Sequence, residues 1–233
     1  MIIIKRCLIW YKKQHFSKKI TLLISSSLLF VVLVFLSVIF SPVVKNEISY
    51  LFMPKKKEIV VAVDKQVNQA GRTYFKNGNN FRKIIKPADN NFSIIIPKIG
   101  VNSKIIENVN PSDKSEYLKK LKFGVAHSKT SGLPGDKKNT FIFAHSSNSF
   151  YDFKDYNSIF YLLYKLDKGD IFYLVYKGVV YRYEVEELRK VDKYKVEYLY
   201  SEKDDSSVIL MTCWPPGTNK KRLLVFGKLV GVN

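Results

Sequence analysis

The hydrophobic and polar positions of the chain fall into three successive patterns. In the first, residues 20–40 form the uninterrupted apolar run ITLLISSSLLFVVLVFLSVIF, which contains no charged side chain. A helix of this length is about 31 Å long, which matches the hydrocarbon thickness of a bilayer. The run predicts a transmembrane helix over residues 20–41, because a buried helix of a soluble protein would normally carry polar side chains along one edge.

The residues before this span predict its orientation. They include six basic side chains and no acidic one, namely Lys5, Arg6, Lys12, Lys13, Lys18 and Lys19. Such clusters stay on the cytoplasmic side, so residues 1–19 are predicted to form a cytoplasmic tail and the rest of the chain to lie outside. A cleaved signal peptide is the alternative, but its apolar segment would be shorter and followed by small residues, whereas Ser41-Pro42-Val43 follows here. We therefore expect an uncleaved signal anchor in the cell membrane, crossing it once.

Residues 42–91 show the second pattern, which has little sustained periodicity. They contain the charge run Lys55-Lys56-Lys57 and the polar stretch from Lys76 to Asn80, and an apolar run appears only in Glu58–Val63. Segments of this composition are typical of linkers. The pattern predicts an extracytoplasmic stalk with one short ordered piece.

The third pattern covers residues 92–233 and consists of short β-type segments separated by turn residues. Strands are predicted at Phe92–Ile96, Val101–Ile106, Asn139–Ala144, Ile171–Tyr176, Val179–Val185, Ser207–Thr212 and Leu223–Val230. Lys177-Gly178 separates two of these segments and predicts a hairpin with a tight turn. About seven strands with one or two short helices favour a mainly β domain folded as a closed or nearly closed barrel.

One segment of this domain has a helical pattern instead. Asp113 and Glu116 have the spacing of a capping pair, and Tyr117, Leu118 and Leu121 form an apolar stripe. We predict a helix over residues 113–122 that Gly124 ends.

The net charge of +19 on 233 residues raises the question of nucleic-acid binding. Six of these charges lie in the predicted cytoplasmic tail, and the others are scattered along the chain with acidic residues among them. No stripe of Arg and Lys interleaved with aromatic side chains is present, so the sequence disfavours a nucleic-acid partner. A basic exterior outside a membrane is better suited to anionic wall polymers or lipid head groups.

The two cysteines, Cys7 and Cys213, lie on opposite sides of the predicted membrane and so do not pair with one another. Cys213 is an unpaired thiol in a compartment where structural cysteines usually form disulfides, which makes it a candidate reactive group. A buried inert thiol is the alternative. Cys7 is close enough to the membrane to be acylated, although an idle residue is the simpler interpretation.

Two histidines, His127 and His145, accompany Cys213 outside the predicted membrane. His145 follows a predicted strand, where rigid structure orients a side chain that substrate still reaches. A Cys/His pair is the minimum for thiol-based acyl transfer, because the thiolate is the nucleophile and imidazole exchanges protons with thiol and leaving group. Arg222 enters the strand after Cys213, and a hairpin there would bring its guanidinium near the sulfur to stabilise an oxyanion. A plain surface charge is the alternative for Arg222.

Several fragments of the chain, taken in order, resemble the sortase family of membrane-anchored cysteine transpeptidases. The resemblance covers about residues 92–230. It is carried by Gly124-Val125-Ala126-His127, Leu133-Pro134-Gly135, Ala144-His145, Leu166-Asp167-Lys168-Gly169-Asp170, Leu210-Met211-Thr212-Cys213 and Lys221-Arg222-Leu223-Leu224-Val225. The family commonly has Thr where Ile209 stands and often Arg-Asp where Ser146-Ser147 stand, which leaves the subclass open.

The resemblance implies an eight-stranded barrel and a set of roles. Cys213 is the implied nucleophile, His145 the general acid/base and Arg222 the substrate-orienting or oxyanion-stabilising cation. Thr212 would line the groove beside the nucleophile, and His127 matches an ancillary histidine that we group with Thr212 as substrate-binding. No cofactor is implied, and we assign no metal, although some acidic residues are possible calcium ligands, namely Asp152, Asp155, Glu184 and Glu186.

The implied reaction begins with attack of Cys213 on the Thr–Gly bond of a carboxy-terminal Leu-Pro-any-Thr-Gly sorting signal on a surface protein. An amine on wall precursor or on another surface protein then resolves the thioester. Two alternatives remain: a hydrolytic cysteine peptidase, and a noncatalytic membrane-anchored β-domain that binds surface polymers.

Overall fold

The computed structural model describes residues 22–35, 37, 47–48, 50–51, 59–61, 74–77, 80–146, 158–195 and 207–233. The chain divides into two compact units, Met1–Asn46 and Glu47–Asn233. In the first unit, residues 22–35 are helical and their side chains are exposed. None of the helices in the described residues is both long and apolar enough to span a bilayer.

The predicted anchor at residues 20–41 therefore stays a prediction. The predicted tail at residues 1–19, which contains Cys7, lies outside the described residues.

The second unit begins its β-structure with a small three-stranded sheet. Its strands are β1 (Ile59–Val61), β2 (Tyr74–Asn77) and β3 (Asn80–Ile85). Strand β3 lies in the middle, parallel to β1 and antiparallel to β2. The ordered piece predicted at Glu58–Val63 is present as β1. The pattern does not predict β2 and β3, because the polar residues Lys76, Asn77 and Asn80 suggest a linker but lie within these two strands.

Eight further strands close into a barrel. They are β4 (Phe92–Ile96), β5 (Val101–Val109), β6 (Val125–Ser128), β7 (Thr140–Phe143), β8 (Ile171–Tyr176), β9 (Val179–Asp192), β10 (Val208–Trp214) and β11 (Lys221–Val232). Their order around the barrel is β10-β11-β9-β8-β4-β5-β6-β7. The prediction of a mainly β, closed eight-stranded barrel is confirmed. The sequence pattern misses only β6, which is four residues long.

Short helices connect some of these strands. Among the described residues of this unit they include the α-helix α1 (Lys114–Lys120) and two 3-10 helices, Pro97–Ile99 and Tyr161–Lys165. Asp113 caps α1 as predicted, because its carboxylate accepts a hydrogen bond from the backbone N–H of Glu116 at 3.0 Å.

The predicted end of α1 at Gly124 needs a correction. The helix ends at Lys120, and Leu121 is its C-cap. Gly124 instead precedes β6, where a Cβ would lie 2.3 Å from the carbonyl oxygen of Lys104. Glycine is required there because two backbone segments approach closely, and not because a helix stops.

The hairpin between β8 and β9 forms as the sequence predicts. Tyr176 pairs with Val179, so Lys177 and Gly178 are the two turn residues. Both have positive φ, at 50° and 80°, as a tight turn between twisted strands requires. Strand β9 then continues to Asp192, and its far end lies beside the start of β11.

The two faces of the barrel wall are both covered. One face supplies the main core, which includes Ile94, Ile96, Phe172 and Leu174. The alternate residues of the same strands, among them Ile95, Tyr173 and Val175, pack with Val61 of β1 in a second cluster. Strands buried on both faces read as continuous apolar runs such as Phe92–Ile96, which explains why their pattern does not alternate.

Candidate active site

Cys213 and Arg222 are directly opposite one another on adjacent antiparallel strands. Strand β10 ends at Trp214, which pairs with Lys221, the first residue of β11. The next pair inward from this end of the hairpin is Cys213 with Arg222. Residues in register on neighbouring strands project from the same face of a sheet. Both side chains are partly exposed. The hairpin predicted from their spacing is therefore present and brings the two groups to one rim of the barrel.

The loop between the two strands contacts both side chains through Asn219. The Oδ1 atom of Asn219 accepts a hydrogen bond from Nη1 of Arg222 at 2.7 Å, and Sγ of Cys213 lies 4.0 Å from the same oxygen. Nη1 of Arg222 also donates to the carbonyl oxygen of Lys221 at 3.2 Å. The guanidinium is thus held by fixed acceptors close to the sulfur.

His145 follows β7, the strand that pairs with β10 on the side away from β11. Strand β7 runs parallel to β10 with Phe143 opposite Met211, and the backbone N–H of Ala144 donates to the carbonyl of Met211 at 3.2 Å. Two residues further along each chain, this register brings His145 level with Cys213. The carbonyl of His145 accepts a hydrogen bond from Phe160, which fixes the backbone there. The structure therefore gathers Cys213, Arg222 and His145 on three adjacent chain segments.

Burial lowers the pKa of His145 below its ordinary value. The side chain is partly exposed, so a substrate can reach it. Its imidazole is neutral at neutral pH, which is the form that accepts a proton from a thiol.

Thr212 lies on the opposite face of β10 from Cys213, because successive side chains of a strand alternate. It is 3% exposed, and its hydroxyl donates to the carbonyl oxygen of Ala144 at 3.0 Å. This hydrogen bond ties β10 to the residue before His145. The hydroxyl therefore holds two chain segments of the site together and does not line the groove.

His127 is also on the face opposite to Cys213. It pairs with Ile142 of β7, which pairs with Leu210 of β10, whereas the Cys213 side chain shares its face with Met211. His127 is fully buried, and its ring packs against Phe92 at 5.7 Å. The structure therefore places His127 on the other face of the barrel wall from Cys213 and Arg222.

The hydrogen bonds of His127 define its protonation. Nδ1 accepts from the backbone N–H of Asn108 at 3.3 Å, so Nε2 carries the hydrogen and donates to the carbonyl of Gly132 at 3.0 Å. The hydroxyl of Ser131 is 3.1 Å from Nε2. Burial lowers the pKa of His127, so this neutral form persists at neutral pH. The residue links strands and loops inside the barrel.

Tyr117 is a residue of the site that the sequence does not reveal. Helix α1 places its ring edge-on against Phe143, with ring centroids 6.1 Å apart, on the face that carries Met211 and Cys213. Burial raises the pKa of Tyr117, the charge of Arg222 lowers it, and the charge of a Cys213 thiolate raises it. The tyrosine is therefore within electrostatic range of both residues, whereas its position in the sequence suggests only a core residue of a helix.

Trp214, next to the nucleophile candidate, joins the site to a neighbouring aromatic cluster. Its ring centroid is 5.5 Å from that of Tyr164, and Nζ of Lys190 lies 4.5 Å above it. Tyr164 donates a hydrogen bond to Glu47 at 2.5 Å, and Lys165 pairs with the same carboxylate at 3.2 Å. The hydroxyl of Tyr164, followed by Lys165, lowers the pKa of Glu47.

The described residues contain no group of three or more His, Cys, Asp or Glu side chains placed so that they could bind one metal ion. Asp152 and Asp155, two of the possible calcium ligands, lie outside the described residues. Ser147 also lies outside them.

A family model described as Sortase domain matches residues 94–230, which is more than half of the chain. No curated protein matches the sequence.

Several solved structures are similar. Sortase C-1 from Actinomyces oris is 29% identical with a TM-score of 0.51, and the match covers 62% of this chain and 76% of that one. The pilus-related sortase C of Group B Streptococcus is 29% identical with a TM-score of 0.50, covering 62% and 69%. Sortase A from Corynebacterium diphtheriae is 26% identical with a TM-score of 0.50, covering 61% of each chain.

Proposed function

This chain belongs to the sortase family of cysteine transpeptidases, and on that premise we propose that it cleaves carboxy-terminal sorting signals of the Leu-Pro-any-Thr-Gly type at the cell membrane. Cys213 is the nucleophile, His145 the general acid/base and Arg222 the cation that orients substrate and stabilises the oxyanion. The observation that carries this proposal is the direct pairing of Cys213 with Arg222, with His145 two residues beyond the end of β7, the strand that pairs with β10 on its other side. A nucleophile, a proton carrier and a fixed cation on one rim are what acyl transfer needs.

Acylation begins when His145 accepts the thiol proton of Cys213 and the sulfur attacks the carbonyl carbon of the threonine. The carbonyl oxygen becomes an oxyanion beside the guanidinium of Arg222. The C–N bond to glycine then breaks, and His145 returns the proton to the leaving amine. Burial of His145 favours this order, because the imidazole stays neutral until it takes the proton from the thiol. The product is a thioester on Cys213.

The second half reverses the roles of the same groups. An acceptor amine attacks the thioester carbonyl, His145 removes the proton of the amine, and the C–S bond breaks to release the thiolate of Cys213, which takes that proton back from His145. Arg222 again faces the oxyanion of the intermediate. The acceptor is an amine on cell-wall precursor or on another surface protein, and water is the slow competitor.

Membrane location is part of the proposal. Residues 20–41 anchor the protein with residues 1–19 in the cytoplasm, so the barrel faces the surface proteins that it joins. The apolar run and the basic residues before it support this topology. One of the similar structures is described as a pilus-related sortase C. For this chain, both anchoring of proteins to the wall and joining of one protein to another are compatible with the barrel.

The test is product analysis with an added amine. The full-length protein in detergent is incubated with a set of sorting-signal peptides, with and without triglycine, and the products are identified by mass spectrometry. A product joined to triglycine that forms with the wild-type protein and not with Cys213→Ala supports the transpeptidase.

Two other outcomes favour the alternatives. Hydrolysis at the same bond that triglycine leaves unchanged favours the cysteine peptidase. If neither protein forms a product and both bind anionic wall polymer equally well, the noncatalytic β-domain is favoured.

A further inference from the structure

The loop between β10 and β11 is folded so that one side chain faces both Cys213 and Arg222. The carbonyl of Pro215 accepts hydrogen bonds from the backbone N–H and the hydroxyl of Thr218, at 3.0 Å and 2.8 Å. Gly217 has φ of 81°, in the left-handed region that favours glycine. This turn fixes the loop immediately before Asn219. The backbone position from which the Asn219 side chain extends is therefore defined by this turn.

The amide oxygen of Asn219 serves two donors. It accepts from Nη1 of Arg222 at 2.7 Å, a short charge-assisted hydrogen bond, and it lies 4.0 Å from Sγ of Cys213. A thiol can donate its hydrogen to this oxygen, but a thiolate has no hydrogen to donate and is repelled by it. The contact therefore favours the thiol over the thiolate, while the same oxygen holds Nη1 of Arg222.

We propose that Asn219 is a positioning residue of the transpeptidase, which aims Arg222 at the oxyanion and favours the thiol of Cys213 over its thiolate. The inference rests on the proposed function for the meaning of the oxyanion. The link to the thiol rests on the distances alone and is measurable without substrate. Asn219 touches neither reacting bond, so it acts through Cys213 and Arg222.

Three variants separate these effects. Asn219→Ala removes the acceptor, so the guanidinium loses its orientation and the thiol loses its partner. Asn219→Asp keeps an acceptor for Arg222 but puts a carboxylate next to the sulfur. Lys220→Gln is the matched control, because it also makes the loop one charge more negative, yet Lys220 is exposed and does not contact Cys213 or Arg222 in the described structure.

The first readout is alkylation of Cys213 by iodoacetamide at a series of pH values. The full-length protein is used, and the peptide that contains Cys213 is followed by mass spectrometry because Cys7 also reacts. We expect alkylation at pH 6 to be about twofold faster in Asn219→Ala, and at pH 7 to be about tenfold slower in Asn219→Asp, because a charge at about 4 Å opposes the thiolate. Lys220→Gln stays within about twofold of the wild type.

The second readout is kcat and KM for transpeptidation. Asn219→Ala lowers kcat about tenfold with KM within about twofold, since only the transition state uses the aimed guanidinium. Asn219→Asp is also slow at pH 7 but recovers towards the wild type at pH 9, where the thiol ionises despite the carboxylate. Asn219→Ala does not recover.

The outcomes are distinguishable. Opposite shifts of the alkylation curve in the two Asn219 variants, with the control unmoved, support the link to the thiol even if no peptide is turned over, in which case only the proposed function fails. If the alkylation curves of the two Asn219 variants shift in the same direction, or by no more than that of Lys220→Gln, the link between Asn219 and the thiol is overturned. Unchanged kcat in Asn219→Ala overturns the aiming of Arg222 in an enzyme that is otherwise active.

Discussion

The hydroxyl of Thr212 donates a hydrogen bond to the carbonyl oxygen of Ala144 at 3.0 Å. These two residues directly precede Cys213 and His145 on neighbouring strands. The bond therefore fixes the spacing between the segments that carry the nucleophile and the proton carrier, from the opposite face of the barrel wall. A threonine whose side chain points away from the groove still affects the geometry within it.

Thr212→Val should show this effect. Valine has nearly the same shape but leaves the buried carbonyl of Ala144 without its donor, which costs about 1–3 kcal/mol of unfolding free energy. We expect a lower melting temperature and a kcat/KM reduced several-fold. Thr212→Ser keeps the hydroxyl and is the control. If the serine variant is as slow as the valine variant, the hydrogen bond is not what positions the site.

Arg222→Lys should separate charge from geometry. Lysine keeps the positive charge but lacks the planar fork that Asn219 and the carbonyl of Lys221 hold in place. We expect kcat/KM for transpeptidation to fall about 100-fold, the scale of losing one donor to an oxyanion. Arg189→Lys, on the neighbouring strand β9, is the control and should stay within about twofold. Equal activity of Arg222→Lys and wild type would show that a positive charge is enough without the planar donor geometry.

Tyr117→Phe removes one hydroxyl that lies within electrostatic range of Cys213 and Arg222. Because the ring still packs on Phe143, the barrel should be unaffected. We expect the hydroxyl to donate to bound substrate, and its loss to lower kcat/KM about fivefold, the value of one net hydrogen bond. Tyr176→Phe, at the far end of β8, controls for loss of a hydroxyl. A Tyr117→Phe variant as fast as this control would leave Tyr117 only a packing role.

His127 should make the stability of the barrel depend on pH. Burial lowers its pKa in the folded state, although Gly132, Glu107 and Asp136 oppose the shift. Below the ordinary histidine pKa of about 6.5 the unfolded chain binds a proton that the folded chain does not, so stability is present above that pH and falls as the pH drops towards 5. His145 adds to this dependence, because burial lowers its pKa too.

The measurement is the melting temperature at pH 7.5 and pH 5 for the wild type and His127→Gln. The variant should be less stable overall but lose less stability between the two pH values. An equal loss in both proteins would show that His127 does not carry the dependence.

Much of the barrel follows from local rules. The Lys177-Gly178 turn and the Asp113 cap act over a few residues, and a short loop between two strands is enough to bring Arg222 opposite Cys213. The position of His145 beside Cys213 depends on the parallel pairing of β7 with β10, which joins segments about 70 residues apart in the chain. The sequence indicates only that a strand ends before His145.

The face of Thr212 follows from the sequence, whereas the placement of His127 and Tyr117 does not. Thr212 directly precedes Cys213 in a strand, so alternation alone sends its side chain to the other face. The face of His127 depends on β6, a four-residue strand whose register is set by its neighbours. Tyr117 becomes part of the site only because helix α1 packs over Phe143, a contact that no local pattern contains.

The most direct test of the account is a search for the thioester itself. The full-length protein is mixed with a sorting-signal peptide, quenched in acid and digested, and the peptide containing Cys213 is examined by mass spectrometry before and after hydroxylamine. We predict that it gains the mass of the amino-terminal part of the signal, ending in threonine, and that hydroxylamine removes this mass. Cleavage of the peptide with Cys213 unmodified, or in Cys213→Ala, would contradict the account.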